Sequence, residues 1–363
     1  MAKHYVVDIA AHRNVYNHSS RNMNLYFSEP ENGVNAETGL LLFISGYGGH
    51  ANSNVYKKMR DKFPDQYNFV CIQCDYFGWE YMQSEQKEET LDYFNDMSIM
   101  QALDNITAVL MVIAILKDND LSFNERKIVA YGHSHGAYLA YLCNRFAPLL
   151  FSAIIDNSAY IYPAYLDYGR EINGVEFTFL ARKVVIFPEL YDLRILYSNF
   201  ENKAKIISYH GEDDALEPIE RKEALVGHID NCIFNRINKK DLNTDGPFGS
   251  TGHGLKADFL KMFDYVISNY VLEKEAPYML QNTLFQIGEV NLDFNYELGL
   301  VAFEMSKDYT MQTLMLHSIQ NNIQSAIDLA MKYGSVSSFL EEQRSIAEIV
   351  IKLEEIKGAF QMG

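Results

Sequence analysis

The stretch Ile128-Val-Ala-Tyr-Gly132-His133-Ser134-His135-Gly136-Ala137-Tyr138 sets a serine between two glycines at Gly-x-Ser-x-Gly spacing. Three fixed positions of common residues recur by chance in a chain this long with a probability on the order of one in ten, so the surroundings matter more than the pattern. Here an apolar run precedes the serine and a helical pattern follows it. In that setting the glycines permit a sharp strained turn that lifts the hydroxyl out of a sheet, and the helix amino terminus favours negative charge beside it. A serine hydroxyl is a weak nucleophile at neutral pH. It needs an imidazole to take its proton and a carboxylate to hold that imidazole's tautomer.

Later segments supply both. Ile206-Ile-Ser-Tyr-His210-Gly211-Glu212-Asp213-Asp214-Ala215-Leu216-Glu217-Pro218 places a carboxylate just past an apolar run, with Asp213 and Asp214 competing for the role. Asp245-Gly-Pro-Phe-Gly-Ser-Thr-Gly252-His253-Gly254 is a glycine-rich loop from which His253 can reach Ser134. The chain order serine, aspartate, histidine suits a strand-turn-helix nucleophile. The other histidines fit worse: His210 supports the acid's turn, His228 sits at a helix end, and His317 lies within a tail helix. His133 and His135 diverge from the serine they flank. The His135 backbone N–H serves instead as one oxyanion donor, and the Tyr47 N–H, in the turn Ser45-Gly46-Tyr47-Gly48-Gly49-His50, is the best second one. That turn lacks the Lys-Ser/Thr ending of a phosphate-binding loop.

These residues must be presented by elements, and the chain provides them in alternation. Apolar runs at Leu40 to Ser45, Asn68 to Gln73, Lys127 to Tyr131, Ser152 to Ile155, Lys205 to Tyr209 and Cys232 to Ile237 read as strands. Leu91 to Leu116, His135 to Phe146, Glu217 to Val226 and Lys256 to Tyr270 read as helices, with Asp104 and Asn105 on an outer face. The pattern predicts an α/β fold with a mostly parallel central sheet flanked by helices. Tyr5 to Ala10 and Met23 to Phe27 read as antiparallel edge strands. An aromatic and basic insertion over about 160–200 reads as a lid across the sheet's carboxyl edge. In it Tyr160 is placed to stack on substrate, and Arg170 and Arg182, with Arg194, to clamp a carboxylate or phosphate. The sequence divides into a domain over 1–273 and a mainly helical extension over 278–363, entered through Lys274 to Pro277. Met311 to Tyr333 and Val336 to Ile356 have helical spacing there. They read as a hairpin packed on the parent domain, or as the contact of a homo-oligomer.

Composition narrows the partners. Among 363 residues, 31 Lys and Arg stand against 48 Asp and Glu, a formal charge of −17, which repels phosphate backbones and anionic bilayers. The reading is therefore of no nucleic-acid and no membrane partner. The amino terminus turns polar by His12 without the apolar run of a secretory signal, no later stretch has the uncharged length of a membrane span, and four cysteines suit a reducing compartment; the expected location is cytoplasmic. Cys71 and Cys74 form a Cys-x-x-Cys inside a strand pattern with no second pair, which reads as buried thiols and not as a metal site.

Taken together, Gly132-His-Ser134-His-Gly136, His210-Gly211-x-x-Asp214-x-x-x-Pro218 and Gly252-His253 resemble the elbow, acid turn and histidine loop of the α/β-hydrolase superfamily, especially its prolyl-oligopeptidase and acyl-esterase-like branches. The resemblance covers about residues 35–272. It implies that Asp214, and not Asp213, is the acid of a Ser134, Asp214, His253 triad. Two departures are Ser45, where many members have His before the oxyanion glycine, and Glu217, at a usually apolar position. The whole chain is also similar to a bacterial group of α/β-hydrolase-like proteins associated with flagellin glycosylation, which implies a small acyl-sugar substrate such as an acylated nonulosonic acid. The expected activity is cleavage of an acyl ester through an acyl-serine, with no metal or organic cofactor. Transfer of the acyl group to a sugar and a non-catalytic scaffold are the competing readings. A peptidase is disfavoured because no long propeller-like segment precedes the domain.

Overall fold

The computed structural model describes residues 1–15, 19–83, 97–163, 166, 170–172, 174–177, 179, 188–288 and 290–306. An eight-stranded sheet runs through it in the order β1 (Lys3–Ala10), β2 (Asn22–Glu29), β4 (Phe69–Cys74), β3 (Gly39–Ile44), β5 (Ile128–His133), β6 (Ala153–Asn157), β9 (Lys205–Gly211) and β10 (Cys232–Ile237). From β4 to β10 every neighbouring pair is parallel, and β1 and β2 add an antiparallel edge. Strands β3, β4 and β6 are buried along their whole length and β5 along nearly all of it, which is why their sequences are apolar runs and not alternating patterns.

Helices cover both faces. On one lie α2 (Ile99–Asp118) and α3 (His135–Phe146), with the short α4 (Leu193–Tyr197) and α5 (Ile219–Val226) beside them. On the other, α1 (Asn54–Tyr67) packs with α6 (Phe259–Asn269), where the Phe63 and Phe263 rings stack 4.6 Å apart. Helix α1 escaped the periodicity reading because Lys57, Lys58, Asp61, Lys62 and Pro64 crowd it. Its buried set, Tyr56, Met59, Arg60 and Phe63, nevertheless has helical spacing.

Helix α2 is long and apolar enough to cross a membrane by length and composition, but most of it is buried within the fold. That burial corrects the reading of Asp104 and Asn105 as outward-facing: both are buried. Asp104 accepts two hydrogen bonds from the Arg21 guanidinium, at 3.0 and 2.7 Å, and a third from the Phe77 N–H. Asn105 donates to the Gln101 carbonyl. Polar residues face inward here because each has a partner there.

The segment expected to open a mainly helical extension departs from that pattern where it is described. Thr283–Ile287, Val290–Asn295 and Ala302–Met305 form strands β11, β12 and β13 of an antiparallel sheet. Strand β12 alternates, with Val290, Leu292 and Phe294 buried and Asn291 and Asp293 exposed. Its inner face joins the main core: Phe294 stacks on Phe146 at 4.4 Å, and the Tyr296 hydroxyl donates to the Phe146 carbonyl. The proposed helices at 311–333 and 336–356 lie outside the described residues.

In the insertion, β7 (Arg170–Ile172) and β8 (Val175–Phe177) form a hairpin. Downstream, Leu190, Tyr191 and Leu193 are fully buried and the Tyr138 hydroxyl donates to the Tyr191 carbonyl, so this end of the insertion is part of the packed layer over α3. The shared core predicts that Phe294→Ala destabilises the whole protein by about 3–5 kcal/mol in urea unfolding, as for other buried phenylalanines. A cost below about 1 kcal/mol would show that the small sheet folds apart from the main core.

Candidate active site

Four chain reversals meet at the carboxyl edge of the sheet. Strand β5 ends at His133, and Ser134 follows with φ 54° and ψ −118°, an unusual backbone for a residue bearing a side chain, before α3 begins at His135. The reversal is held by the Ser134 N–H donating to the Asn157 carbonyl and by the Ser134 carbonyl accepting from Ala137 and Tyr138. Only glycine fits beside it. A Cβ at Gly136 would stand 2.1 Å from the Ile44 carbonyl oxygen, and one at Gly132 would stand 2.4 Å from Ala137 Cα.

The structure brings Ser134, His253 and Asp214 into one line. Ser134 Oγ lies 2.7 Å from His253 Nε2, and His253 Nδ1 lies 2.8 Å from Asp214 Oδ2. Asp214 is fixed by its own turn, since Oδ1 accepts the Leu216 and Glu217 N–H groups at 2.9 and 3.1 Å. Burial alone would raise the Asp214 pKa. The hydrogen bond and charge of His253, with His210 and the Glu217 N–H, outweigh it and hold the carboxyl below its ordinary value. With Nδ1–H directed at the carboxylate, Nε2 is left to accept from the serine. Asp213, the competing acid, is turned to the histidine loop and accepts the Thr251 hydroxyl at 2.7 Å. The two neighbouring aspartates thus grip successive parts of one loop, Asp213 through the Thr251 hydroxyl and Asp214 through the His253 imidazole.

Tyr160 also belongs to this cluster. Its hydroxyl lies 3.2 Å from Ser134 Oγ, and its ring is stacked on the His253 imidazole at 5.3 Å and 5°. The turn that carries it is anchored by buried charges. Asp156, at the end of β6, accepts the Ala159 N–H and pairs with the Lys222 ammonium at 2.8 Å; Glu217 accepts the Ile161 N–H at 2.9 Å. Lys222 outweighs the burial of Asp156 and lowers its pKa, whereas burial dominates at Glu217 and raises it. Sequence reading singled out Glu217 as a departure but gave Asp156 and Lys222 no role, and in a single sequence an isolated Lys in an amphipathic helix gives no sign of its buried partner. His210 donates Nε2–H to the Glu217 carbonyl at 2.7 Å, in the supporting position expected of it.

Tyr47 and His135, the expected oxyanion donors, lie past the ends of β3 and β5, which are neighbours in register through Ile44 and Gly132. The His135 backbone occupies the first position of α3, where helix N–H groups have no partner within the helix. Its imidazole is turned away into the core, 2.6 Å from Gln101 Oε1. The Tyr47 ring packs edge-on against Phe177 and Phe179, so the insertion's aromatics roof the turn that carries the Tyr47 N–H. Arg170 lies in β7 with only its backbone described, and Arg182 lies outside the described residues. Arg194 is engaged locally, its guanidinium on the Asp192 carboxylate that caps α4. Cys71 and Cys74 are buried strand thiols whose pKa values burial raises far above the ordinary range. No group of three potential metal ligands occurs among the described residues.

His133 is wedged beneath the site, where Cβ atoms added at Gly46 or Gly254 would come within 2.8 and 2.7 Å of its ring nitrogens. Burial, followed by the charge of His253, pushes its pKa down to about 4. Between about pH 6.5 and 4 the unfolded chain therefore takes up a proton that the native His133 refuses, so this contribution to stability is complete above pH 6.5 and is lost as the pH falls toward 4. Comparing urea unfolding at pH 7 and pH 4, the native protein is expected to lose roughly 2–3 kcal/mol more than His133→Asn does. An equal loss in both would contradict an imidazole kept neutral in the native state.

Residues 81–187 match a family model described as a protein of unknown function (DUF2920). No curated protein matches the chain. Among solved structures, an acylaminoacyl peptidase in complex with Z-Gly-Gly-Phe-chloromethyl ketone superimposes with a TM-score of 0.51 at 12% identity, over 76% of this chain and 43% of that one. Est1E from Butyrivibrio proteoclasticus gives 0.45 at 16% identity over 71% and 95% of the two chains, and a dienelactone hydrolase from Anabaena variabilis gives 0.41 at 13% over 66% and 87%. With the sheet order above, the likeness to the peptidase shows an α/β-hydrolase fold. These matches carry no information on flagellin glycosylation.

Proposed function

We propose that this chain is a serine hydrolase that cleaves acyl esters through an acyl-serine. The observation that carries the proposal is the continuous line from Ser134 Oγ through His253 to Asp214, with contacts of 2.7 and 2.8 Å. As Ser134 Oγ attacks the substrate carbonyl, its proton passes to His253 Nε2 and the new positive charge rests against the Asp214 carboxylate. The His135 and Tyr47 N–H groups receive the oxyanion. The tetrahedral species collapses with cleavage of the bond to the leaving oxygen, which takes the proton from Nε2. Water then enters, His253 removes its proton, and the acyl group leaves as the acid while Ser134 regains its hydrogen.

The buried ring of Tyr160 holds the imidazole in plane, and the aromatic roof of Phe177 and Phe179 over Tyr47 suits an acyl chain or the apolar face of a sugar. An acylated sugar acid is the substrate class that suits these walls together with the arginines, Arg170 and Arg182, that the sequence supplies in the insertion.

Incubation with p-nitrophenyl acetate tests the proposal. The native protein is expected to release p-nitrophenolate and, after rapid acid quenching, to carry an acetyl group on the peptide containing Ser134. Ser134→Ala should abolish both, and Asp214→Asn should lower kcat by about 10³–10⁴-fold. Undiminished turnover by Ser134→Ala would refute the assignment. Adding free sugars to the same reaction reports transfer directly, as acetylated sugar in place of acetate.

A further inference from the structure

At the far end of α3 from the nucleophile, Arg145 stands in an unusual setting. It lies eleven residues beyond Ser134, on the order of 16 Å along the helix axis, so a ligand there would not touch the reacting atoms. The guanidinium lies over two aromatic rings, 3.8 Å from the Phe285 centroid and 4.8 Å from that of Phe200. Its Nε donates to the Leu196 carbonyl at 2.7 Å, which fixes the plane of the group and leaves the two terminal nitrogens as a fork. No carboxylate of the described residues pairs with it, in a chain carrying seventeen more acidic than basic residues. Burial pushes its pKa down to about 10, the mark of a cation that has lost water without gaining an anion.

Arg145 lines a cavity of about 690 Å³ between the helical layer and β11. Asn199 and Lys203 also line it, whereas the Ser198, Thr283 and Gln286 side chains donate to the Ile195, Gln281 and Gly288 carbonyls. The acid on the wall, Glu201, is already engaged by Lys203. A partly dehydrated guanidinium held flat by two rings costs stability unless something compensates it, and such forks match the paired oxygens of carboxylates and phosphates. We propose that this cavity is a binding site for a small molecule carrying a carboxylate or phosphate group, which Arg145 grips in two-pronged fashion at a distance from Ser134.

Thermal unfolding of the full chain with inorganic phosphate or acetate, each added to millimolar level at constant ionic strength, reads the site. One of the two anions is expected to raise the Tm of the native protein by about 2 °C at tenfold excess over its Kd, and the one that does so identifies the group recognised. Arg145→Met should melt at or above the native temperature without anion and lose the anion-dependent rise, whereas Arg145→Lys should need at least a fivefold higher concentration. Line broadening of the phosphate ³¹P signal or the acetate methyl signal by the native protein, saturable and absent with Arg145→Met, gives the same answer without melting. An equal response in native protein and Arg145→Met, or no response to either anion by either method, would overturn the proposal.

Discussion

Ser134 is held in a backbone conformation that costs of the order of 1–3 kcal/mol, and much of the molecule is arranged so that no cheaper conformation is open to it. The parallel strands on either side fix where the chain leaves the sheet. Gly132 and Gly136 allow neighbouring backbone to close within distances that no side chain could occupy. Helix α3, buried along nearly its whole length, cannot rotate to relieve the turn. At Ser134 the strained turn exposes the hydroxyl to the His253 imidazole.

From that point the support spreads outward through charged groups that are buried only because they are paired. Asp214 is held by two backbone N–H groups and holds His253. Asp213 holds the stem of the same loop. Behind them Asp156, Lys222 and Glu217 fix the turn from which Tyr160 covers the imidazole. Ion pairs of this kind add little net stability, but breaking one leaves an uncompensated charge, so they tie the geometry of the acid turn to that of the Tyr160 turn. Glu217, buried at the acid turn, receives a backbone N–H from the neighbouring loop.

Much of this was legible in the sequence. Five of the six parallel strands read as apolar runs since they are buried on both faces, while the edge strand β10 is largely uncovered, and the order of serine, acid and histidine follows from strand ends that all open on one edge. What escaped had physical reasons. Helix α1 hides its core stripe among lysines, and its one buried cation, Arg60, donates to the Ala51 carbonyl and to Gln73. Asp104 looks like a surface residue until Arg21, far off in the chain, folds over it. Strands β11 to β13 do alternate, but they are only four to six residues long and half-exposed, and the longer helical spacing that follows them dominates the reading of that segment. The stacking of Tyr160 on His253 depends on two loops nearly a hundred residues apart, which no local pattern encodes.

The account stands or falls on whether His253 activates Ser134. Labelling by a fluorophosphonate probe, with the modified peptide mapped and the rate followed against pH, tests that most directly. The account predicts modification of Ser134 alone, lost in His253→Ala while that variant remains folded. Labelling of His253→Ala at the native rate, or modification of another serine that survives Ser134→Ala, would contradict it.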